Sequence, residues 1–274
     1  MSQEDSGGMI RRIGMNAKRT IPGAAVGAVI LLMLECGIQA APVNEETATH
    51  AGVRFRVVRA APEQVELVWR DAKNQAYRSF DRAHTALTAQ GKTPRFLMNA
   101  GLFQPGGTPC GLHIERGKTL HPLNLKDGYG NFHLKPNGVC WIEAEGDRRK
   151  AVIAASETYQ TRSAAIPAGG ALRIETAVQS GPLLLAAGNR HHAFRDGSAN
   201  RLHRNGVGVD AQGRLVFAMT DRGQWVNFWD FAGLFLSLGC KDALFLDGDI
   251  SQMVVNPPKP VESNLFGAMF VICD

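Results

Sequence analysis

The chain has 274 residues, of which 45% are apolar and 20% charged, and its formal net charge is +5. This composition is that of a globular protein with one large or two small domains, and it contains no internal repeat or low-complexity segment. The basic residues are scattered apart from Arg148–Lys150, which predicts a solvated surface and argues against a nucleic-acid-binding protein.

The first forty residues have the pattern of a secretory signal peptide. Four basic residues between positions 11 and 19 precede the uncharged stretch Ile21–Leu34, and the small residues Ala40 and Ala41 follow it. We therefore predict a signal peptide over residues 1–40, a periplasmic or secreted location, and no membrane association after cleavage. An uncleaved membrane anchor is the alternative, because the apolar stretch approaches the length that spans a bilayer.

Residues 41–51 are polar and are predicted to form a linker, followed by one domain over residues 52–274. Alternating or continuous apolar residues predict strands in eight segments of that domain: Val53–Val58, Val65–Trp69, Arg95–Met98, Gly181–Leu185, Gly206–Val209, Ala243–Leu246, Gln252–Val255 and Ala268–Ile272. Turn sequences predict hairpins at three further places, which are Arg116–Gly117, Pro136–Gly138 and Asp210–Gly213.

Two segments have helical spacing. Apolar residues recur at three- and four-residue intervals in Asp71–Gln90, and Gly91 ends that helix. A second helix follows Asn227, which is expected to cap it, and Gly239 ends it. Many short strands with two long helices predict an α+β fold, in which mixed, largely antiparallel sheets pack with a few helices in a single domain.

A buried strand is followed directly by carboxylates in Ala243–Ser251, "ALFLDGDIS". Asp247, Asp249 and Ser251 stand at alternate positions, as at the start of a calcium loop. The EF-hand is excluded because its sixth and twelfth positions are Gln252 and Pro258 instead of Gly and Glu. Another Ca²⁺ or Mg²⁺ site at Asp247 and Asp249 and a strand-end turn whose acids cap backbone amides both fit the pattern.

Two other strand ends have a polar residue followed by glycine. Asn99 precedes Gly101, and Ser180 precedes Gly181. Glycine at such places lets the backbone bend or a ligand approach closely, so three strand ends of this kind suggest one shared rim.

A cation and an imidazole also belong to the candidate rim. Arg204 precedes a glycine-rich strand and is a candidate anion clamp, because a guanidinium matches phosphate oxygens. His133 alternates with apolar residues and is expected to face the rim. The pairing of four cysteines stays open: Cys110, Cys140, Cys240 and Cys273.

Several segments between Arg95 and Val255 resemble the phosphodiester glycosidase family, in its bacterial exported branch and in the catalytic domain of the lysosomal uncovering enzyme. They are "NAGLF", "QSGPLL", "RNGVGVDAQGRLVFAMTD" and "VNFWDFAGLFLSLGCKDALFLDG", with the final Ser of "DGDIS". The resemblance implies the family's fold and hydrolysis of a sugar joined through its anomeric oxygen to a phosphodiester. By motif match it implies a pocket of Asn99, Gly101, Ser180, Gly181, Arg204, Asp247, Gly248 and Ser251. Asp249 departs from the Asp-Gly-Gly-x-Ser pattern of the uncovering enzyme.

This reaction assigns a role to most of the pocket. A phosphate is a good leaving group, so the reaction needs a carboxylate for an oxocarbenium-like centre and donors for the departing anion. Asp247 suits the first role as base or nucleophile, and Arg204 with Ser180 suits the second. Asn99 and Ser251 would hold sugar hydroxyls.

The predicted function is therefore an exported hydrolase that cleaves the anomeric C–O bond of a sugar-phosphodiester in surface or secreted polysaccharide metabolism. It requires no cofactor. The alternatives are a non-catalytic polysaccharide-binding protein and a phosphodiesterase that cleaves the P–O bond with a divalent cation held by Asp247 and Asp249.

Overall fold

The structure, a computed structural model, describes residues 42–274, which contain eighteen strands and three α-helices. The strands are β1 (Glu45–His50), β2 (Val53–Ala60), β3 (Val65–Val68), β4 (Pro94–Ala100), β5 (Phe103–Gln104), β6 (Thr108–Pro109), β7 (His113–Glu115), β8 (Lys118–His121), β9 (Gly138–Glu145), β10 (Arg148–Ala155), β11 (Leu172–Ser180), β12 (Leu183–Ala186), β13 (Asn189–Arg190), β14 (Asn205–Asp210), β15 (Leu215–Thr220), β16 (Cys240–Asp247), β17 (Met253–Val255) and β18 (Ala268–Cys273). The helices are α1 (Phe80–Ala89), α2 (Ser156–Ala164) and α3 (Phe228–Ser237).

The strands form three main sheets. The seven-stranded sheet has the order β1-β2-β15-β14-β16-β12-β13, the five-stranded sheet β10-β9-β11-β7-β8, and the four-stranded sheet β17-β4-β18-β3, while β5 and β6 pair separately. Every strand pair within residues 42–274 is antiparallel. The predicted α+β fold with largely antiparallel sheets in one domain is confirmed.

One apolar core joins the three sheets. Phe217 of β15, Phe270 of β18 and Ile142 of β9 belong to the same buried cluster. Because side chains alternate between the two faces of a strand, the neighbouring Val216 points to the other face, where it packs in a second cluster with α3. α1 covers the four-stranded sheet, and Tyr159 of α2 packs against the five-stranded sheet.

Helix α3 forms as the sequence predicts. Asn227 is its N-cap, and its Oδ1 accepts a hydrogen bond of 2.8 Å from the backbone N–H of Asp230. Phe231 and Phe235 are fully buried against the seven-stranded sheet. Gly239, with φ of +84°, follows the helix and leads the chain into β16, which places Asp247 at the end of a buried strand.

Three predictions of local structure are wrong. The predicted linker contains β1, whose mostly exposed residues pair with β2 at the edge of a sheet. The first helix begins at Phe80 instead of Asp71, because Asn74 and Arg78 have φ of +63° and +67° and interrupt the helical backbone. Pro136–Gly138 does not turn a hairpin, since a 3₁₀ turn precedes it and β9 begins at its last residue.

The four cysteines of residues 42–274 are free thiols in the structure. Cys240 is buried, and Cys273 is half-buried. No helix in this part of the chain is both long and apolar enough to cross a membrane. The predicted signal peptide lies outside the described residues.

Candidate active site

The ends of four strands from the three sheets meet at the candidate site. Asp247 ends β16, and Asn205, which begins the antiparallel β14, lies opposite it in the register. Asn99 in β4 and Ser180 at the end of β11 complete the group. Three of these four residues were predicted to share a rim, and the structure brings them together.

Asp247 is a buried carboxylate with two hydrogen-bond donors. The residue is 7% exposed; Oδ2 accepts from Nδ2 of Asn99 at 3.0 Å, and Oδ1 accepts from the backbone N–H of Gly248 at 2.8 Å. Burial raises the pKa of Asp247 to about 6, and the negative charge of Asp249 adds to that rise, while the two hydrogen bonds lower the pKa. The carboxyl group therefore titrates close to neutral pH.

Asn99 is held in one orientation. Its Oδ1 accepts hydrogen bonds from Nδ2 of Asn205 at 3.1 Å and from the backbone N–H of Gln252 at 3.0 Å. Nδ2 of Asn205 also lies 3.0 Å from the Asn99 carbonyl oxygen. With its oxygen occupied in this way, Asn99 presents its N–H₂ group to Asp247.

Asn205 is a site residue that the sequence analysis missed. It is fully buried, and its Oδ1 has no hydrogen-bond partner within the described residues. A buried polar atom without a partner is costly in a finished core and points to a ligand or water at the site. The available signal was its place directly after Arg204, as a polar residue at the start of a buried strand.

Ser180 is fully buried, and its hydroxyl is used within the protein. Oγ donates to the carbonyl oxygen of Leu246 at 3.1 Å and accepts from the backbone N–H of Leu102 at 3.4 Å. These bonds join the ends of β11 and β16 to the turn that follows β4. The position of Ser180 thus supports a positioning role more directly than its predicted contact with a leaving phosphate.

Gly101 and Gly181 stand where backbone segments pack closely. Gly101 has φ of +73°, and a Cβ there would lie 2.9 Å from Cγ2 of Val178. A Cβ on Gly181 would lie 2.7 Å from Cβ of Asn137. Both glycines are thus required by packing around the site.

Arg204 lies beneath the site surface. The residue is 1% exposed, Nε donates to the carbonyl oxygen of Val226 at 2.9 Å, and the guanidinium carbon lies 3.7 Å from the ring centre of Phe228. Burial lowers the pKa of Arg204 to about 10, against the opposing effect of Asp249. Nη1 is buried and has no hydrogen-bond partner among residues 42–274. The structure thus buries Arg204, which was predicted to clamp an anion at the rim.

The loop after Asp247 is held by its own backbone and by His203. The N–H of Ser251 donates to the Gly248 carbonyl oxygen at 2.9 Å, and Nε2 of His203 donates to the Ser251 carbonyl oxygen at 3.1 Å. Ser251 is 4% exposed, and its Oγ has no partner in the described residues. Asp249 is exposed, so its carboxylate faces solvent beside the buried Asp247.

His133 and the suggested cation ligands Asp247 and Asp249 are less well supported by the structure than the group of Asn99, Ser180, Asn205 and Asp247. Nδ1 of His133 lies 3.1 Å from the Lys126 carbonyl oxygen, and none of the described contacts of His133 joins it to Asp247. Within residues 42–274, no three His, Cys, Asp or Glu side chains converge in a geometry that would hold a metal ion. Asp247 and Asp249 thus remain a pair of carboxylates with no third ligand of this kind.

Comparison with known proteins decides the family. The family model for phosphodiester glycosidases matches residues 93–269, a span that contains every residue of the candidate site. This chain is a phosphodiester glycosidase family member. Its sequence is 31% identical over 202 residues to the uncharacterized protein YigE of Escherichia coli K12, with 73% of each chain covered.

Two solved structures share the fold of this family member. The zebrafish N-acetylglucosamine-1-phosphodiester alpha-N-acetylglucosaminidase catalytic domain has a TM-score of 0.55 and 15% identity, with 85% of this chain and 84% of that chain covered. A hypothetical protein from Synechocystis has a TM-score of 0.52 and 14% identity; 86% of this chain is covered, but it spans only 64% of that one. At these identities the similarity establishes the fold alone.

Proposed function

We propose that this protein hydrolyses the bond between the anomeric carbon of a sugar and the oxygen of a phosphodiester, with Asp247 as the catalytic carboxylate. The observation that carries the proposal is the burial of Asp247 at a strand end, where Asn99 and Gly248 orient it and its pKa is raised to about 6. Buried, oriented carboxyl groups that titrate near neutrality are characteristic of catalytic acids, bases and nucleophiles. The zebrafish protein, by its name, acts on the same class of bond.

The chemistry requires a negatively charged group close to the anomeric carbon of the sugar. As the phosphate leaves, positive charge develops at the anomeric carbon, and ionised Asp247 stabilises it or attacks it. The hydrogen bond from Asn99 fixes the carboxylate before reaction, so little reorganisation is needed in the transition state. Oδ1 of Asn205 and Oγ of Ser251 are buried without a partner in the described residues, and in our proposal they gain one, a water molecule or a sugar hydroxyl, when substrate is bound.

Arg204 and Ser180 act behind this surface in our proposal. The buried guanidinium of Arg204 supplies a fixed positive charge under the loop that carries Asp249. Ser180 keeps the end of β16 in place through the Leu246 carbonyl oxygen. Both then act as positioning residues, which is a change from the contacts with phosphate that the sequence suggested.

The cellular role that we propose is exported carbohydrate metabolism. The basic residues and the uncharged stretch Ile21–Leu34 support secretion, and a surface or secreted polysaccharide is then the accessible substrate. Sequencing of the mature protein from a bacterial host should begin near Ala41 or Pro42. An intact Met1 on membrane-bound protein would support the anchor instead.

Release of free sugar tests the function. Purified protein should release sugar from at least one member of a panel of sugar-1-phosphodiesters, with Asp247→Asn as the matched inactive variant. We expect release to persist in the presence of a chelator, because the proposed reaction uses the carboxylate of Asp247 and no metal ion. Binding without release would support the polysaccharide-binding alternative, and loss of release with chelator would support the metal-dependent phosphodiesterase.

A further inference from the structure

Asp249 is an exposed carboxylate in the turn that follows Asp247. The N–H of Ser251 donates to the Gly248 carbonyl oxygen at 2.9 Å, which closes this turn. Burial is the main cause of the shifted pKa values of Asp247 and Arg204, and the charge of Asp249 contributes to both, so its carboxylate lies close to the two groups. Within residues 42–274, Asp249 forms no ion pair.

The hydrogen-bonding atoms left open beside Asp247 are acceptors. Nδ2 of Asn99, Nδ2 of Asn205 and the N–H of Gly248 each donate to an oxygen of the protein. In contrast, Oδ1 of the fully buried Asn205 has no partner among the described residues, and the carboxylate of Asp249 faces solvent. An amide oxygen and an ionised carboxylate can only accept hydrogen bonds. A ligand that completes this site therefore has to supply donors.

The charges of the site favour a cation on the ligand. Asp247 and Asp249 are both acidic, whereas Arg204 is 1% exposed and its Nε already donates to the Val226 carbonyl oxygen. A phosphodiester brings a further negative charge, which these carboxylates repel unless the same substrate also carries a positive charge.

A protonated amine satisfies both requirements. An ammonium group carries one positive charge and three N–H donors, and it has no acceptor. An N-acetylated amine is neutral and offers one N–H together with a carbonyl acceptor, and a sugar hydroxyl is neutral as well. Of these three groups, only the ammonium neutralises an unpaired carboxylate.

We propose that the sugar half of the substrate is an amino sugar with a free, protonated amine and that Asp249 binds this amine. In the proposed function, on which this inference rests, Asp247 acts at the anomeric carbon. The amine therefore lies on the adjacent carbon, C2, where it faces the carboxylate of the same turn. Asp249 accepts hydrogen bonds from the ammonium group, and Oδ1 of Asn205 accepts from a hydroxyl of the same sugar.

Three diesters with the same alcohol test this inference. They differ only at C2 of the 1-linked sugar, which carries a free amine, an N-acetyl group or a hydroxyl. They are assayed at about pH 6.5, where a primary amine is protonated. Wild type should have the highest kcat/KM for the free amine. Asp249→Asn removes the charge and retains the shape, and it should lower the ratio of kcat/KM for the free amine to that for the N-acetyl diester by about three- to tenfold.

The ratio isolates the contact between Asp249 and the amine. Asp249 also influences Asp247, but a change in the reacting carboxylate affects all three diesters alike and cancels in the ratio. Asp147→Asn, at an exposed aspartate in the turn between β9 and β10, makes the same change in net charge and should keep the wild-type ratio.

Three results would overturn the amine assignment and leave the glycosidase intact. The first is a kcat/KM for the free-amine diester no higher than for the other two. The second is a preference for the amine that survives in Asp249→Asn, and the third is an equal loss of that preference in Asp147→Asn.

Failure of the proposed function gives a different result, because none of the three diesters is then hydrolysed. Calorimetry of the intact diesters decides in that case. Tighter binding of the free-amine diester, reduced by Asp249→Asn to the level of the N-acetyl diester, supports the inference. Equal binding of the diesters, or no binding, overturns it.

Discussion

Asp247 is held in one orientation by two hydrogen bonds, and its burial lowers the free energy of unfolding when the carboxyl group is ionised. Its pKa of about 6 in the folded chain exceeds the value near 4 of an unfolded aspartate, so its ionisation opposes folding. The stability associated with its protonated form is fully present below pH 4 and is lost as the pH rises through 6. The protein retains a group that costs stability at neutral pH, which is the pattern expected of a catalytic residue.

Asp247→Asn should therefore separate activity from stability. We expect turnover to fall by about a thousandfold, because the amide cannot supply negative charge. The free energy of unfolding of the variant relative to wild type should rise by about 2–3 kcal/mol between pH 4 and pH 7.5, as the wild-type carboxyl ionises. Urea unfolding across that pH range measures the change. A difference that does not vary with pH would contradict the burial and raised pKa of Asp247.

Ser180→Ala tests whether the hydroxyl positions the site or touches the substrate. Removing Oγ leaves the buried Leu246 carbonyl oxygen and the N–H of Leu102 without this partner, which should lower the free energy of unfolding by about 1–3 kcal/mol. Ser180→Thr retains a hydroxyl and serves as the conservative comparison. If Ser180→Ala is as stable as wild type but inactive, the positioning role is wrong and Ser180 contacts the leaving phosphate, as its motif suggested.

At the scale of elements, the turn after β4 depends on one glycine. Ala at Gly101 would combine φ of +73° with a Cβ 2.9 Å from Val178. We expect Gly101→Ala to lower the free energy of unfolding by more than about 1 kcal/mol. Gly248→Ala is the control, since the nearest atom to its Cβ would be the His203 carbonyl oxygen at 3.9 Å. Equal stability of the two variants would show that the packing at β4 is looser than described.

Elements with an apolar period or a defined cap were predictable, and the others were not. Asn227 and the apolar face of Phe231 and Phe235 identify α3 from local sequence alone. α2 has one large buried apolar residue, Tyr159, so no helical period reveals it. β1 lies at the exposed edge of a sheet and has no apolar pattern of its own. It is a strand because its backbone pairs with β2.

The candidate site was predictable as a set of strand ends but not as a set of contacts. Asn99, Ser180 and Asp247 stood out because polar residues there end apolar segments. The orientation of Asn99 depends on Asn205, 106 residues away, and on Gln252, and no local pattern encodes those pairs. The burial of Arg204 likewise results from the packing of the sheets, and no local sequence pattern encodes it.

At the scale of the whole molecule, three sheets converge to place one carboxylate among buried polar side chains. β4 belongs to the four-stranded sheet, β11 to the five-stranded sheet, and β14 and β16 to the seven-stranded sheet. Asn99, Ser180, Asn205 and Asp247 therefore depend on the complete domain for their arrangement. The family match over residues 93–269 includes all four strands but begins after β1, β2 and β3.

The position of the broken bond tests the central claim most directly. If Asp247 serves an electron-poor carbon, hydrolysis in heavy-oxygen water places the solvent oxygen on the anomeric hydroxyl of the released sugar. Both products are weighed by mass spectrometry, with the unlabelled reaction as the reference. We expect the label in the sugar and none in the phosphate. Label in the phosphate would show attack at phosphorus and would contradict the assignment of this protein as a glycosidase.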